Sequence, residues 1–135
     1  MGSTIGRKKK KNTKSKDYIS WFEIPAVNFD QAVNFYNHIF GVEMKTLINS
    51  DYAVAFFPSE GGIGGSIVSN STSMPTDAGP LLYLNGGNDL NTVLEKVPEA
   101  GGRIIMNKTF IDEDSGYFAV FIDSEGNKLA LHSKK

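Results

Sequence analysis

From residue 18 onward the chain alternates short apolar runs with amphipathic stretches, and it goes through the same alternation twice. "WFEIPA" (21–26) has a strand's composition, whereas "VNFDQAVNFYNHIFG" (27–41) changes to a helical period. Asn28 is placed to cap that helix with Gln31 three residues on, and Val27 to staple against Ala32. Ala32, Val33, Tyr36, Ile39 and Phe40 fall on one face, and Gly41 stands where a left-handed stop is needed. Three strand candidates follow, "EMKTLI", "YAVAFF" and "GSIVS", separated by "NSD" and the glycine-rich "PSEGGIGG".

After a loop marked by Pro75, Gly79 and Pro80, the order recurs. "LLYLN" reads as a strand and "NDLNTVLEKVPEAGG" as a helix, with Leu90, Val93, Leu94 and Val97 on one stripe, Gly101 as its stop and Pro98 distorting the last turn. "RIIMNK", "YFAVFI" and "KLALHS" complete the set. The near-repetition of "YAVAFFPSEGG" by "YFAVFIDSEGN" fits the same scheme, with Trp21 matched to Leu82, Gly41 to Gly102 and Tyr52 to Tyr117. The pattern predicts an α+β fold made of two tandem βαβββ modules, residues 18–70 and 80–133, in one domain spanning 17–135. Neither module can cover its sheet alone, so two sheets joined side by side with a helix of each on the outer face are expected.

Composition sharpens this in three places. A chain of 135 residues is about one domain, large enough to bury a core without disulfides, and it has no cysteine. No apolar run approaches the ~20 residues of a membrane span and no secretory signal is visible, so a soluble, cytoplasmic protein is expected. The net charge of −1 conceals a division: residues 1–16 carry seven of the fourteen basic residues and no acidic one, which leaves a net of −8 on the remainder. That segment reads as a solvated, disordered tail. Weak polyanion contact through Lys8–Lys11 is its only nucleic-acid prospect, since an acidic body argues against a nucleic-acid groove.

In "WFEIPAVNFDQAVNFYNHIFG" and in "EAGGRI" followed by "GYFAVFIDSEGNKLAL", the chain resembles the vicinal oxygen chelate superfamily of glyoxalases, bleomycin-resistance proteins and extradiol dioxygenases. The resemblance covers residues 18–133 and implies a cupped eight-stranded sheet around a ligand cavity, commonly in a homodimer. In the metalloenzymes among its members, His, Gln and Glu ligands stand on the cup side of the first and last strands of each module. Here those positions fall on Trp21, Ser66, Leu82 and Ala130, which offer no usual ligand set, and their strand neighbours lack His and carboxylate too. No metal and no cofactor are expected.

Strand alternation from Trp21 puts Glu23 and Pro25 in the cup, with Ser66, Val68, Leu82, Leu84, Lys128, Ala130 and His132; Phe56 and Phe118 complete an aromatic and aliphatic basin. Glu23, on a strand buried on both sides, would need a partner. It is either a general base or cation anchor tuned by Lys128 or His132, or a structural group satisfied by the backbone or a lysine. His132 is a candidate site residue, whereas His38 belongs to the surface. "EGGIGGS" lacks the Lys-Ser/Thr ending of a phosphate loop and precedes a strand, and Ser66 has no base beside it. The resemblance therefore implies a metal-independent binder of a small, partly apolar molecule. The alternative is a lyase, isomerase or dioxygenase using Glu23 as base or a metal site elsewhere.

Overall fold

The computed structural model describes residues 17–135, and the basic segment 1–16 lies outside the described residues. Module one runs β1 (Trp21–Pro25), α1 (Phe29–Phe40), β2 (Lys45–Ile48), β3 (Ala53–Phe56) and β4 (Gly64–Ser69). Module two repeats the order as β5 (Tyr83–Asn85), α2 (Asn91–Leu94), β6 (Arg103–Asp112), β7 (Gly116–Ile122) and β8 (Lys128–Ser133). Each module forms a four-stranded sheet, ordered β1-β4-β3-β2 and β5-β8-β7-β6, in which only the first pair is parallel. The eight strands of the expected cup are thus two hydrogen-bonded sets, with β1 and β5 each at an edge of its own sheet. No helix among the described residues is long and apolar enough to cross a membrane.

Local chemistry explains α1. The Asn28 side chain accepts from the Gln31 N–H at 3.1 Å, and Gly41 takes the left-handed conformation at φ 63°. The helix buries Ala32, Val33, Tyr36 and Ile39 as its spacing predicts, and Phe35 as well. α2 is far shorter than its stripe suggests, because Pro98 prevents a regular continuation, yet Leu90, Val93, Leu94 and Val97 are all buried. Both helices cover the same side of the sheets. There Ile24, Ala55 and Ile67 of module one and Leu84, Ala119, Phe121, Leu129 and Leu131 of module two join Phe35, Tyr36 and Ile39 in one core.

The pairing corrects the internal alignment by one residue. Glu23 pairs with Ser66 as Tyr83 pairs with Ala130, so the first strands correspond at an offset of 60, as do the left-handed glycines Gly41 and Gly101. The hairpins pair Phe56 with Ser66 and Val120 with Ala130, an offset of 64. A slip of one turns every side chain to the other face. Leu82 and Leu84 therefore do not face the cup: Leu84 is 8% exposed within the core, Leu82 packs against it, and Tyr83 and Asn85 take the opposite face. "LLYLN" is apolar almost throughout and carries no alternation that would fix its register.

The turn between β7 and β8 holds the modules together. Asp123, 3% exposed, accepts from the Tyr36 hydroxyl at 2.7 Å, from the backbone of Glu125 and Asn127, and from the Asn127 amide, which also donates to Pro25 O at 2.8 Å. Glu125 reaches the start of α1, where its Oε1 accepts from the N–H groups of Val27 and Asn28 at 2.9 and 2.7 Å and its Oε2 from Gln31 Nε2 at 2.7 Å. Burial, and then the neighbouring Asp123 carboxylate, push the Tyr36 hydroxyl well above the usual tyrosine range.

Candidate functional site

On the face away from the helices, the sheet register aligns the candidate residues in rungs. Glu23, Ser66 and Phe56 form one in module one; Tyr83, Ala130 and Val120 form its counterpart in module two, with Asn85, His132 and Phe118 on the next. Each module places an aromatic pair there. Trp21 meets Phe56 edge to face with centroids 6.3 Å apart, and Tyr83 meets Phe118 at the same distance. Trp21, Phe56 and Tyr83 are 48, 38 and 55% exposed, large apolar surfaces left uncovered on one face of the sheets. Close approach of Trp21 depends on Gly64, where a Cβ would stand 2.6 Å from the indole.

Two polar groups lie among these rings. Ser66 is 1% exposed and its hydroxyl has no hydrogen-bond partner, the single buried side-chain oxygen or nitrogen in that state among the described residues. Its register partner Glu23 is exposed rather than buried, which corrects the expectation of a carboxylate needing a buried partner: β1 is an edge strand, paired only to β4. With Leu82, Asn127 and Lys128, Glu23 lines a slot of about 290 Å³ between the two sheets.

The remaining candidates divide. Val68 and Ala130 are buried in the sheets, and Lys128 is exposed at the slot. His132 is half-buried with its Nε2 against the Ser115 carbonyl oxygen, a contact that ties its ring to the β6–β7 turn. His38 is at the surface as expected, with its Nε2 2.6 Å from Glu99 Oε1 in the turns that follow α2. The structure thus unites Trp21 with Phe56 and Glu23 with Ser66, sends Leu84 to the core, and adds Tyr83 and Asn85, which correct strand register alone would have found.

Around the positions that the resemblance implies, Trp21, Ser66, Leu82 and Ala130, strand pairing brings together one possible donor set. It comprises the Glu23 carboxylate, the Ser66 hydroxyl, the Tyr83 phenol and the Ala130 methyl. One carboxylate with neutral hydroxyls and a methyl does not fit a divalent ion that takes His and carboxylate ligands. Among the described residues there is no group of three or more His, Cys, Asp or Glu side chains suited to a metal.

Several known proteins are similar over most of this chain. A Glyoxylase-like domain-containing protein of Didymella fabae is 28% identical over 123 residues, covering 84% of this chain and 91% of that protein. The glyoxylase/bleomycin resistance protein/dioxygenase domain from Frankia sp. EAN1pec superposes with a TM-score of 0.66 at 17% identity, over 90% of this chain and 94% of that one. TnmS3, an antibiotic binding protein from Streptomyces sp. CB03234, does so at 0.59 and 19% identity, over 88 and 97%. The sequence model of the Glyoxalase/Bleomycin resistance protein/Dioxygenase superfamily matches residues 18–131, and with the duplicated βαβββ architecture this makes the chain a member of that superfamily.

Proposed function

We propose that this protein binds a small, planar, partly apolar molecule against the aromatic face of its sheets and does so without a metal. The observation that carries the reading is the pair of aromatic couples, Trp21–Phe56 and Tyr83–Phe118, one from each module on the same face, with three of the four rings exposed beside the buried, unpartnered Ser66 hydroxyl. Rings of this kind stack on flat ligands, Ser66 supplies a hydrogen bond that nothing else uses, and Glu23 favours a ligand with a cationic group. TnmS3, an antibiotic binding protein of the same fold, is a precedent for sequestration. The reading extends to a homodimer in which a second copy covers exposed apolar positions of the outer strands, such as Leu47 on β2 and Met106 on β6.

Trp21 is the sole tryptophan of the chain, so its fluorescence reports on the site directly. Titration with proflavine, a planar aromatic cation, and with bleomycin should give saturable quenching by at least one, weakened about tenfold or more in Phe56→Ala. Elemental analysis after divalent-metal loading and desalting should return far less than one ion per chain. Absent quenching, together with stoichiometric metal that Glu23→Gln abolishes, would replace this reading with the enzymatic alternative, in which Glu23 acts as base or ligand.

A further inference from the structure

The two modules are nearly symmetric, but their turns are not used alike. The β7–β8 turn of module two, reading Asp-Ser-Glu-Gly-Asn at 123–127, is latched onto the end of β1 and the start of α1 through Asn127 and Glu125. At the hairpins' offset of 64, the β3–β4 turn of module one sets Ser59–Ile63 opposite 123–127, with serine and isoleucine in place of the Asp and Asn that build the latch and Gly61 in place of Glu125. No hydrogen bond joins its Glu60 to α2 among the described residues. The start of α2 is instead satisfied within module two, where the Leu90 N–H donates to Ser133 Oγ at 3.1 Å and the Asn91 N–H to Asp89 Oδ1 at 2.9 Å.

The consequence is a difference in empty space. Under the latched turn, beside β1, the slot with Glu23 measures about 290 Å³ and is narrowed by the linker residues Thr76, Ala78 and Pro80. At the symmetric place, between the unlatched turn and β5, the cavity is about 680 Å³. Phe57, Pro58 and Ile63 form its module-one wall and Leu82 to Asn85 its module-two wall, while Phe22 and Phe40 close the helix side. Phe22, Phe40 and Phe57 are already packed ring on ring, with Phe57 centroids 5.6 Å from Phe22 and 6.2 Å from Phe40, so these walls are preformed. No Asp, Glu, Lys, Arg or His lines this cavity, and its polar groups are the Asn85 amide, the Tyr83 phenol and the backbone of β5, whose second edge pairs with no strand.

We propose that this inter-module cavity is a second binding site, adjoining the aromatic face at Tyr83, for a neutral and mostly apolar small molecule that hydrogen-bonds the open edge of β5. A volume near 700 Å³ lies within the usual range of ligand pockets, and a wall without ionisable side chains other than a phenol disfavours charged ligands by their desolvation cost.

The test uses N-phenyl-1-naphthylamine, a neutral apolar dye that brightens in apolar cavities, titrated into the full chain. Wild type should bind one dye saturably. Ile63→Glu and Ile63→Lys, which set either charge at a rim position that is 44% exposed, should each weaken binding tenfold or more with unchanged circular dichroism and Tm, whereas Phe56→Ala on the aromatic face should not. Absence of dye binding in wild type overturns the proposal, as does binding lost in Phe56→Ala but kept in both Ile63 variants. Light scattering on the same samples covers the remaining occupant: a doubled mass that Ile63→Glu abolishes, with no dye uptake, assigns the cavity to a second copy of the chain and also overturns it.

Discussion

Glu125 and Asn28 lie 97 residues apart in the chain, yet the carboxylate oxygen of one accepts the backbone N–H of the other at 2.7 Å. The first N–H groups of a helix have no intrahelical partner and carry the positive end of its dipole, so a carboxylate from the other module is a suitable cap for α1. Since it also takes the Val27 N–H and the Gln31 amide, Glu125 is a joint between modules as well as a cap. Glu125→Ala should cost about 1–3 kcal/mol in urea unfolding, the range of a lost charged hydrogen bond and cap. Glu60→Ala, in the Ser-Glu-Gly of module one, should stay within about 0.5 kcal/mol as an ordinary surface change. Equal losses at the two sites would show that the asymmetry of the turns carries no energy.

Tyr36 makes the same joint sensitive to alkali. Its hydroxyl is buried against Asp123, which holds its pKa above the ordinary value of 10.0. A raised native pKa means stability that is fully present below pH about 10 and lost as pH climbs from there toward the native value, because only the unfolded tyrosine can ionise readily. Tyr36→Phe should cost about 1–2 kcal/mol at pH 7, where Asp123 keeps its backbone and Asn127 donors, and should flatten the decline above pH 10. Urea midpoints measured from pH 7 to 11 on both proteins decide this, and parallel curves would refute it.

Two adjacent glycines separate packing of the site from packing of the core. A methyl at Gly64 meets the far end of the Trp21 ring at 2.6 Å, and that side chain is half-exposed and free to swing. At Gly65 it meets the Phe22 ring at 2.3 Å, and Phe22 is wedged against Phe57 at the core's edge. Gly64→Ala should therefore shift the tryptophan emission and weaken proflavine binding for less than about 1 kcal/mol of stability. Gly65→Ala should cost about 1–3 kcal/mol through overpacking and leave the emission nearer to wild type. Emission spectra and urea midpoints of the two variants are the measurements, and the reverse ranking would mean that Trp21 rather than Phe22 is the rigid partner.

The duplicated modules, the cap and stop of α1 and the aromatic character of one face were all legible in the chain, because each rests on local spacing that few alternatives satisfy. What misled was register. "WFEIP" alternates clearly enough to place Trp21 and Glu23, but "LLYLN" offers a large apolar group at four of its five positions and fits either face equally well. The exposure of Glu23 was hidden for another reason: whether β1 is an edge strand depends on how the sheets meet, and no local pattern encodes that. The latch was half-visible, since the repeated Ser-Glu-Gly drew attention to both turns. Its asymmetry lies in Asp123, Glu125 and Asn127, which in the paired hairpins stand where the other turn has Ser59, Gly61 and Ile63.

Register itself can be tested at Tyr83 and Leu84, neighbours in β5 that the structure assigns to opposite faces. Tyr83 is 55% exposed, stacks on Phe118 and pairs with Ala130, so its removal takes away ligand-facing surface with little core packing. Leu84 is 8% exposed among core residues, so truncation leaves a cavity. Tyr83→Ala should cost under about 1 kcal/mol, and it should weaken proflavine binding about tenfold, a loss of the size expected when one stacking partner goes. Leu84→Ala should cost about 2–4 kcal/mol, with binding close to wild type wherever the protein remains folded. The opposite outcome, a stable Leu84→Ala that no longer binds and a Tyr83→Ala that unfolds easily, would restore the register in which Leu82 and Leu84 face the ligand.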